Sequence, residues 1–127
     1  PHVSQIAALA ALDATEELDG HVARYRQNRS IVIAGLAAAG ITDIAPADGA
    51  FYVYAHVPHL TTALGIDSLE LTRRWLHEAG VAVLADIHFG RRVPGDGQHI
   101  RFSYAASNDA IERGIGRFAD FVHRNAR

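Results

Sequence analysis

Residues 99–104 read His-Ile-Arg-Phe-Ser-Tyr. Bulky apolar side chains alternate with polar ones, and a β-strand sends successive side chains to opposite faces. Ile100, Phe102 and Tyr104 therefore share one face; His99, Arg101 and Ser103 share the other. Directly after this strand, Ile111, Ile115, Phe118 and Val122 recur at helical spacing behind Ser107 or Asn108 as an N-cap. A chain built this way buries one side of a sheet under helices. The second side is left for water, another domain or a ligand.

The rest of the chain fits that plan. Residues 3–12 are rich in Ala and Leu and read as a helix. Thr15 reads as the N-cap of a second helix, with Glu16 and Glu17 in its first turn, where negative charge suits the helix dipole. Leu18, Val22, Tyr25, Val32 and Leu36 form its apolar stripe, Arg29 falls on the same stripe, and Gly40 is the expected stop. Residues 41–44 are a short strand candidate, 46–49 a turn, 50–56 an aromatic-rich strand and 57–66 a loop. Asp67 with Glu70 has capping-box spacing. The helix that follows is expected to place Leu69, Leu76 and Ala79 on one face and to end at Gly80. Residues 81–84 read as a strand, and residues 85–98 as a loop carrying Gly90, Arg91, Arg92, Pro94, Gly95 and Gly97. The order α-α-β-β-α-β-β-α predicts an α+β domain spanning 1–127, a small mixed or antiparallel sheet with helices mainly on one face.

Several chemistries are excluded. Net charge is -2 with the basic residues dispersed, which argues against nucleic-acid and anionic-membrane surfaces. There is no cysteine, hence no disulfide and no thiol catalysis. All 12 basic residues are arginines, so no lysine nucleophile or base comes from this chain. The longest uncharged apolar run near the N-terminus is too short to span a bilayer. No signal peptide is expected, and the location expected is cytoplasmic. With no methionine and Pro at position 1, either the initiator Met has been cleaved or the chain is a piece of a longer polypeptide.

Among polar residues, Arg101 stands out. In mid-strand on the uncovered face, a planar guanidinium can take a carboxylate through two parallel hydrogen bonds. The alternative is an exposed strand arginine in a weak surface ion pair. His56 and His59 flank Pro58, but zinc sites usually need three or four ligands and Pro58 keeps the pair out of one regular helix; no metal is expected. Gly95-Asp96-Gly97 precedes a strand instead of opening a helix, so it reads as a hairpin-like loop and not a dinucleotide fingerprint.

Taken together, five segments resemble the C-terminal, small domain of class I/II aminotransferases of pyridoxal-phosphate fold type I. Val3-Ser4-Gln5 with Ala7, Ala8 and Leu9 resembles the helix after the family's active-site lysine segment. Tyr25-Arg26 with Asn28-Arg29 resembles its long interdomain helix. Asp48-Gly49-Ala50-Phe51-Tyr52 is similar to its P-x-G-[ATG]-F-[YF] strand, with Ala47 in place of the Pro. Residues 78–83 followed by Phe89-Gly90 resemble its AGVAVVPGxxFG strand and loop, and residues 97–105 its GxxxRxSYA strand. The resemblance covers essentially the whole chain.

It implies that Arg101 holds the α-carboxylate of an amino-acid substrate and that the loop carrying His88 and Phe89 borders the substrate side chain. An exposed loop histidine is the other reading of His88. It also implies pyridoxal phosphate in the intact enzyme, an amino-acid or 2-oxo-acid substrate, and a homo-oligomer. The Schiff-base lysine and most cofactor ligands would come from a large domain absent here, so no cofactor is expected on this chain and no catalysis by it alone. The alternative is an orphan, truncated domain that self-associates or binds a small carboxylate. Where the family commonly has Pro-Gly-Ser, this chain has Ala85-Asp86-Ile87. Asp86 reads there as a solvated loop carboxylate, or else as a group repelling acidic or pairing with basic side chains. Apolar surface is expected around Ile6 and Leu9 and at Tyr52 and Tyr54.

Overall fold

The computed structural model describes residues 1–90 and 97–125. Of the expected Gly-rich loop, Arg91, Arg92, Pro94, Gly95 and Asp96 lie outside the described residues. Helix α1 (His2–Leu12) and helix α2 (Thr15–Ala38) form where Ala, Leu and straight-chain residues dominate. Thr15 is not a cap: it is the first helical residue, behind Ala14, which offers no side-chain acceptor. Gly40 stops α2 as expected. At φ +83° it takes the left-handed conformation, while its N–H bonds to Ala37 O at 3.0 Å and Ile41 N–H to Leu36 O at 2.9 Å. That motif buries Ile41, so the segment expected as a strand at 41–44 spends its first apolar residue on capping. Only one bridge, Ile44 to Ala55, remains of it.

Strand β1 (Tyr52–His56) follows. The expected loop at 57–66 is instead helix α3 (Pro58–Leu64), with Pro58 in the first turn, where its missing N–H costs nothing, and Gly65 as left-handed cap. Helix α4 (Ser68–Arg74) is capped by Asp67, whose carboxylate accepts from Glu70 N–H at 2.9 Å, matching the capping spacing. It runs on into a π turn, Trp75–Ala79, that ends at Gly80. Its buried face is Ser68, Leu71, Thr72 and Trp75, whereas Leu76, expected on the helix's apolar face with Leu69 and Ala79, is 50% exposed. Two hydroxyl residues on the inner face hid the true stripe. Strand β2 is only Leu84–Ala85, shorter and later than expected, and a 3₁₀ turn, Asp86–His88, replaces the start of the loop. Strand β3 (His99–Ser103) and helix α5 (Asn108–Asn125) complete the chain, with Ser107 Oγ accepting from Ala110 N–H at the helix start.

The sheet is antiparallel throughout, in the order β1-β3-β2. The fold is thus α+β with five α-helices and three strands among the described residues, and the expected element order holds only in part. Val53, Ala55, Ile100 and Phe102 line the covered face and join Val32 and Leu36 of α2, Leu60 of α3, Leu71 of α4 and Ile111, Phe118, Phe121 and Val122 of α5 in one core. Trp75 is its centre: fully buried, it meets Phe118 and Phe121 edge-on at 4.8 and 6.2 Å between centroids. Helices α2 and α5 cross so closely at Gly35 that a Cβ there would overlap Ile115. The buried Asn28 of α2 donates to Tyr104 O at 3.0 Å and Ala106 O at 2.9 Å, fixing the exit of β3.

Helix α1 has no buried residue; Val3, Ile6, Leu9 and Leu12 are 56–78% exposed. This matches the apolar surface expected on α1. Tyr52 and Tyr54 do not match: both are half-buried in ring contacts on the sheet. Among the described residues no helix is long and apolar enough to cross a membrane.

Candidate functional site

The uncovered sheet face collects the even-numbered residues of β1 and the odd-numbered residues of β3. Tyr52 pairs with Ser103, Tyr54 with Arg101 and His56 with His99, and Leu84 of β2 flanks Arg101 on the other side. The burial of β3 alternates as the sequence pattern requires, with Ile100 and Phe102 buried and Arg101 half-buried.

Arg101 is the only cation described on this face besides the histidines, and its surroundings are aromatic. Its Cζ lies 4.0 Å from the Tyr52 ring centroid and 4.1 Å from that of Phe89. Tyr52 comes from β1 and Phe89 from the turn after β2, on opposite flanks of β3, so the guanidinium lies between two rings. Such contacts are worth roughly 0.5–2 kcal/mol each, depending on solvation. Among the described residues no oxygen accepts a hydrogen bond from Arg101 and no carboxylate pairs with it. A planar cation held between π faces with its donors unclaimed is suited to a planar anion approaching edge-on.

A second group sits further along the face. The rings of Tyr54, His99 and His56 stack in a row, at 5.1 Å and 4.4 Å between centroids. His56 Nδ1 lies 2.8 Å from Asp43 Oδ2, and its Nε2 lies 3.2 Å from Gln98 Oε1. His59 lies in α3, outside this row, and is exposed. Among the described residues no three His, Asp or Glu are placed to hold a metal ion.

Of the residues singled out from sequence, the structure brings Arg101 and Phe89 into contact. His88 stands exposed on the 3₁₀ turn, and no described hydrogen bond, ion pair or ring contact joins it to Arg101. Asp86 is not solvated. It is 8% exposed, and its carboxylate accepts hydrogen bonds from Ser68 Oγ at 2.6 Å and from the N–H groups of Ile87 (2.9 Å), Gly97 (2.7 Å), Gln98 (3.1 Å) and His99 (3.1 Å). Burial pushes its pKa up, but the hydrogen bonds from Ser68 and the backbone outweigh it and hold the carboxyl below its usual range. Sequence reasoning missed this role because a loop position gives no warning of burial. It also missed Tyr52 as a partner of Arg101, because the register that puts both on one face is set by the pairing of β1 with β3.

Residues 1–118 match the family described as "Aminotransferase class I and II". The chain is 40% identical over 124 residues to a valine–pyruvate aminotransferase of Mycobacterium tuberculosis, covering 96% of this chain and 30% of that protein. It is 35% identical over 112 residues to a glutamate–pyruvate aminotransferase of Escherichia coli, covering 87% of this chain and 26% of that protein. A crystal structure of an aminotransferase from Mycobacterium tuberculosis superposes with a TM-score of 0.85 at 39% identity, over 95% of this chain and 30% of that one. The chain thus spans about 30% of the length of the relatives it matches.

Proposed function

The chain belongs to the class I and II aminotransferase family, and from that premise we propose that it is the small domain of an enzyme that moves an amino group between an amino acid and a 2-oxo acid, with Arg101 as the receptor for the substrate α-carboxylate. The observation that carries this reading is the guanidinium between Tyr52 and Phe89 with no acceptor of its own among the described residues. The two rings cover the faces of the guanidinium and restrict its rotation. A carboxylate then meets donors already oriented, which lowers the ordering cost of binding. Phe89 borders the same spot, so the substrate side chain would pass beside it. His88 is kept as a candidate on that border only through its place in the turn.

The family works with pyridoxal phosphate, which supplies the electron sink for the amino transfer. The residues of this chain do not by themselves fit the cofactor, because none is a lysine able to hold its aldehyde. No step through the cofactor is therefore derived from them. What the chain supplies is substrate orientation, and it is inactive alone. A large cofactor-binding domain of the same polypeptide is the partner this reading requires. The bare apolar face of α1 suits burial against it or a second subunit.

The test is expression of the complete reading frame that encodes this chain, followed by an assay of amino transfer to pyruvate with pyridoxal phosphate present. Activity in the complete product and none in the 127-residue chain is expected. Inactivity of the complete product across amino donors, or a reading frame coding for nothing beyond this chain, would contradict the proposal.

A further inference from the structure

The Ala85-Asp86-Ile87 turn departs from the family's usual Pro-Gly-Ser, and the fold gives the departure a use. Asp86 grips the chain at both ends of the segment between β2 and β3. Its Oδ1 accepts from Ile87 N–H at 2.9 Å, just after β2, and from Ser68 Oγ at 2.6 Å, at the start of α4. Its Oδ2 accepts from the N–H groups of Gly97, Gln98 and His99 at 2.7, 3.1 and 3.1 Å, where β3 begins. Its own backbone carbonyl accepts from Phe89 N–H at 2.8 Å. One residue thus links the backbone of Phe89 to the backbone two residues before Arg101. Nothing else in the described structure ties the turn to β3 with comparable density, because β2 itself pairs with β3 over two residues only.

We propose that Asp86 is a positioning residue for the carboxylate site: by clamping the turn to the start of β3 and to Ser68, it holds the Phe89 ring against the Arg101 guanidinium. The proposal rests on the reading of Arg101 as the carboxylate receptor and deepens it. The geometry explains why an acceptor with two oxygens is needed here. Five donors converge on it from three directions, so an amide would turn its NH2 toward N–H groups and a smaller residue would leave them unpaired. Among the described residues no arginine pairs with the buried carboxylate; the converging N–H dipoles and Ser68 offset its charge, and His99 Nδ1 lies 3.8 Å from Oδ2. The Phe89 ring is 43% exposed and lacks a packing partner in the core, so its place depends on how the turn is held.

The experiment uses the 127-residue chain and follows the Arg101 side chain by NMR, in the wild type, Asp86→Asn, Ser68→Ala, Phe89→Leu and the Asp86→Asn/Phe89→Leu double variant. Two quantities are read: the ring-current displacement of the Arg101 Cδ and Nε protons, and the pyruvate dependence of the Nε–H shift. The proposal expects Asp86→Asn to lose about as much of the displacement as Phe89→Leu while core signals such as Trp75 stay in place. It expects pyruvate affinity to fall at least ~threefold in each single variant and no further in the double, as for residues acting through one another. A merely structural Asp86 would lower stability without that shared endpoint. Full displacement retained in Asp86→Asn overturns the proposal. Should Asp86→Asn fail to fold, Ser68→Ala decides: a partial loss supports the clamp and an unchanged Arg101 overturns it. Displacement that depends on Asp86, with no pyruvate response in any form, would uphold the positioning and defeat the carboxylate reading.

Discussion

The two faces of β3 differ by one residue in register and in almost everything else. On one side Ile100 and Phe102 disappear beneath four helices. On the other, Arg101 stands between Tyr52 and Phe89, and His99 stacks between Tyr54 and His56. The covered face is generic: bulky apolar groups meet bulky apolar groups, and many sequences would serve. The open face is specific, because each contact brings together a cation, a ring or a carboxylate from a different segment. Stability is concentrated on the first face, and the proposed carboxylate site lies on the second.

Mutations separate them. The largest effect is expected on the covered side: Trp75→Ala removes the centre of the aromatic cluster and should cost about 3–5 kcal/mol, read from the urea midpoint. A loss under 1 kcal/mol would mean that the core does not rest on this residue.

At the junction of the two faces, Asp86→Ala strips the acceptor from several part-buried N–H groups and from Ser68 Oγ and should cost about 2–4 kcal/mol. The same carboxylate sets a pH dependence. Its folded pKa lies below the unfolded value, so its contribution is complete above the ordinary aspartate range and is lost as pH falls through the folded pKa. Acid unfolding of the wild type should therefore be steeper than that of Asp86→Ala, and parallel profiles would contradict the clamp.

The smallest effect on stability is expected on α1. Leu9→Glu touches no buried group and should shift stability by at most ~0.5 kcal/mol. It should nonetheless reduce self-association of the isolated chain in sedimentation, since α1 offers an apolar face with nothing packed on it. A chain that is monomeric at high concentration before the change would remove that face from the account.

The sequence made the covered face legible because period-2 and period-3.6 patterns are written in side-chain type: β3 and α5 read correctly, as did Val32 and Leu36 of α2, whereas Leu18 and Val22, expected on the same stripe, are exposed. It was less legible where polar groups serve the interior. Ser68 and Thr72 disguised the inner face of α4, and Asp86 sat in what reads as a loop. Pro58 does keep His56 and His59 out of one helix, as expected, but it also opens a helix in residues that read as loop. On the open face, alternation singled out Arg101, and the resemblance supplied Phe89. The rings that hold Arg101 depend on how β1 and the turn after β2 pass on either side of it, which no local pattern records. The α1 helix teaches the converse. It is among the most apolar segments, yet it buries nothing, because a helix needs a partner surface as well as apolar residues.

The measurement that bears most directly on the central claim is kcat/KM of Arg101→Lys in the enzyme encoded by the complete reading frame. A lysine ammonium keeps the charge but offers neither the two parallel hydrogen bonds nor the planar face that Tyr52 and Phe89 hold. The account predicts a fall of roughly 30- to 1,000-fold, equivalent to about 2–4 kcal/mol of transition-state binding. An unchanged kcat/KM would take Arg101 out of the substrate site.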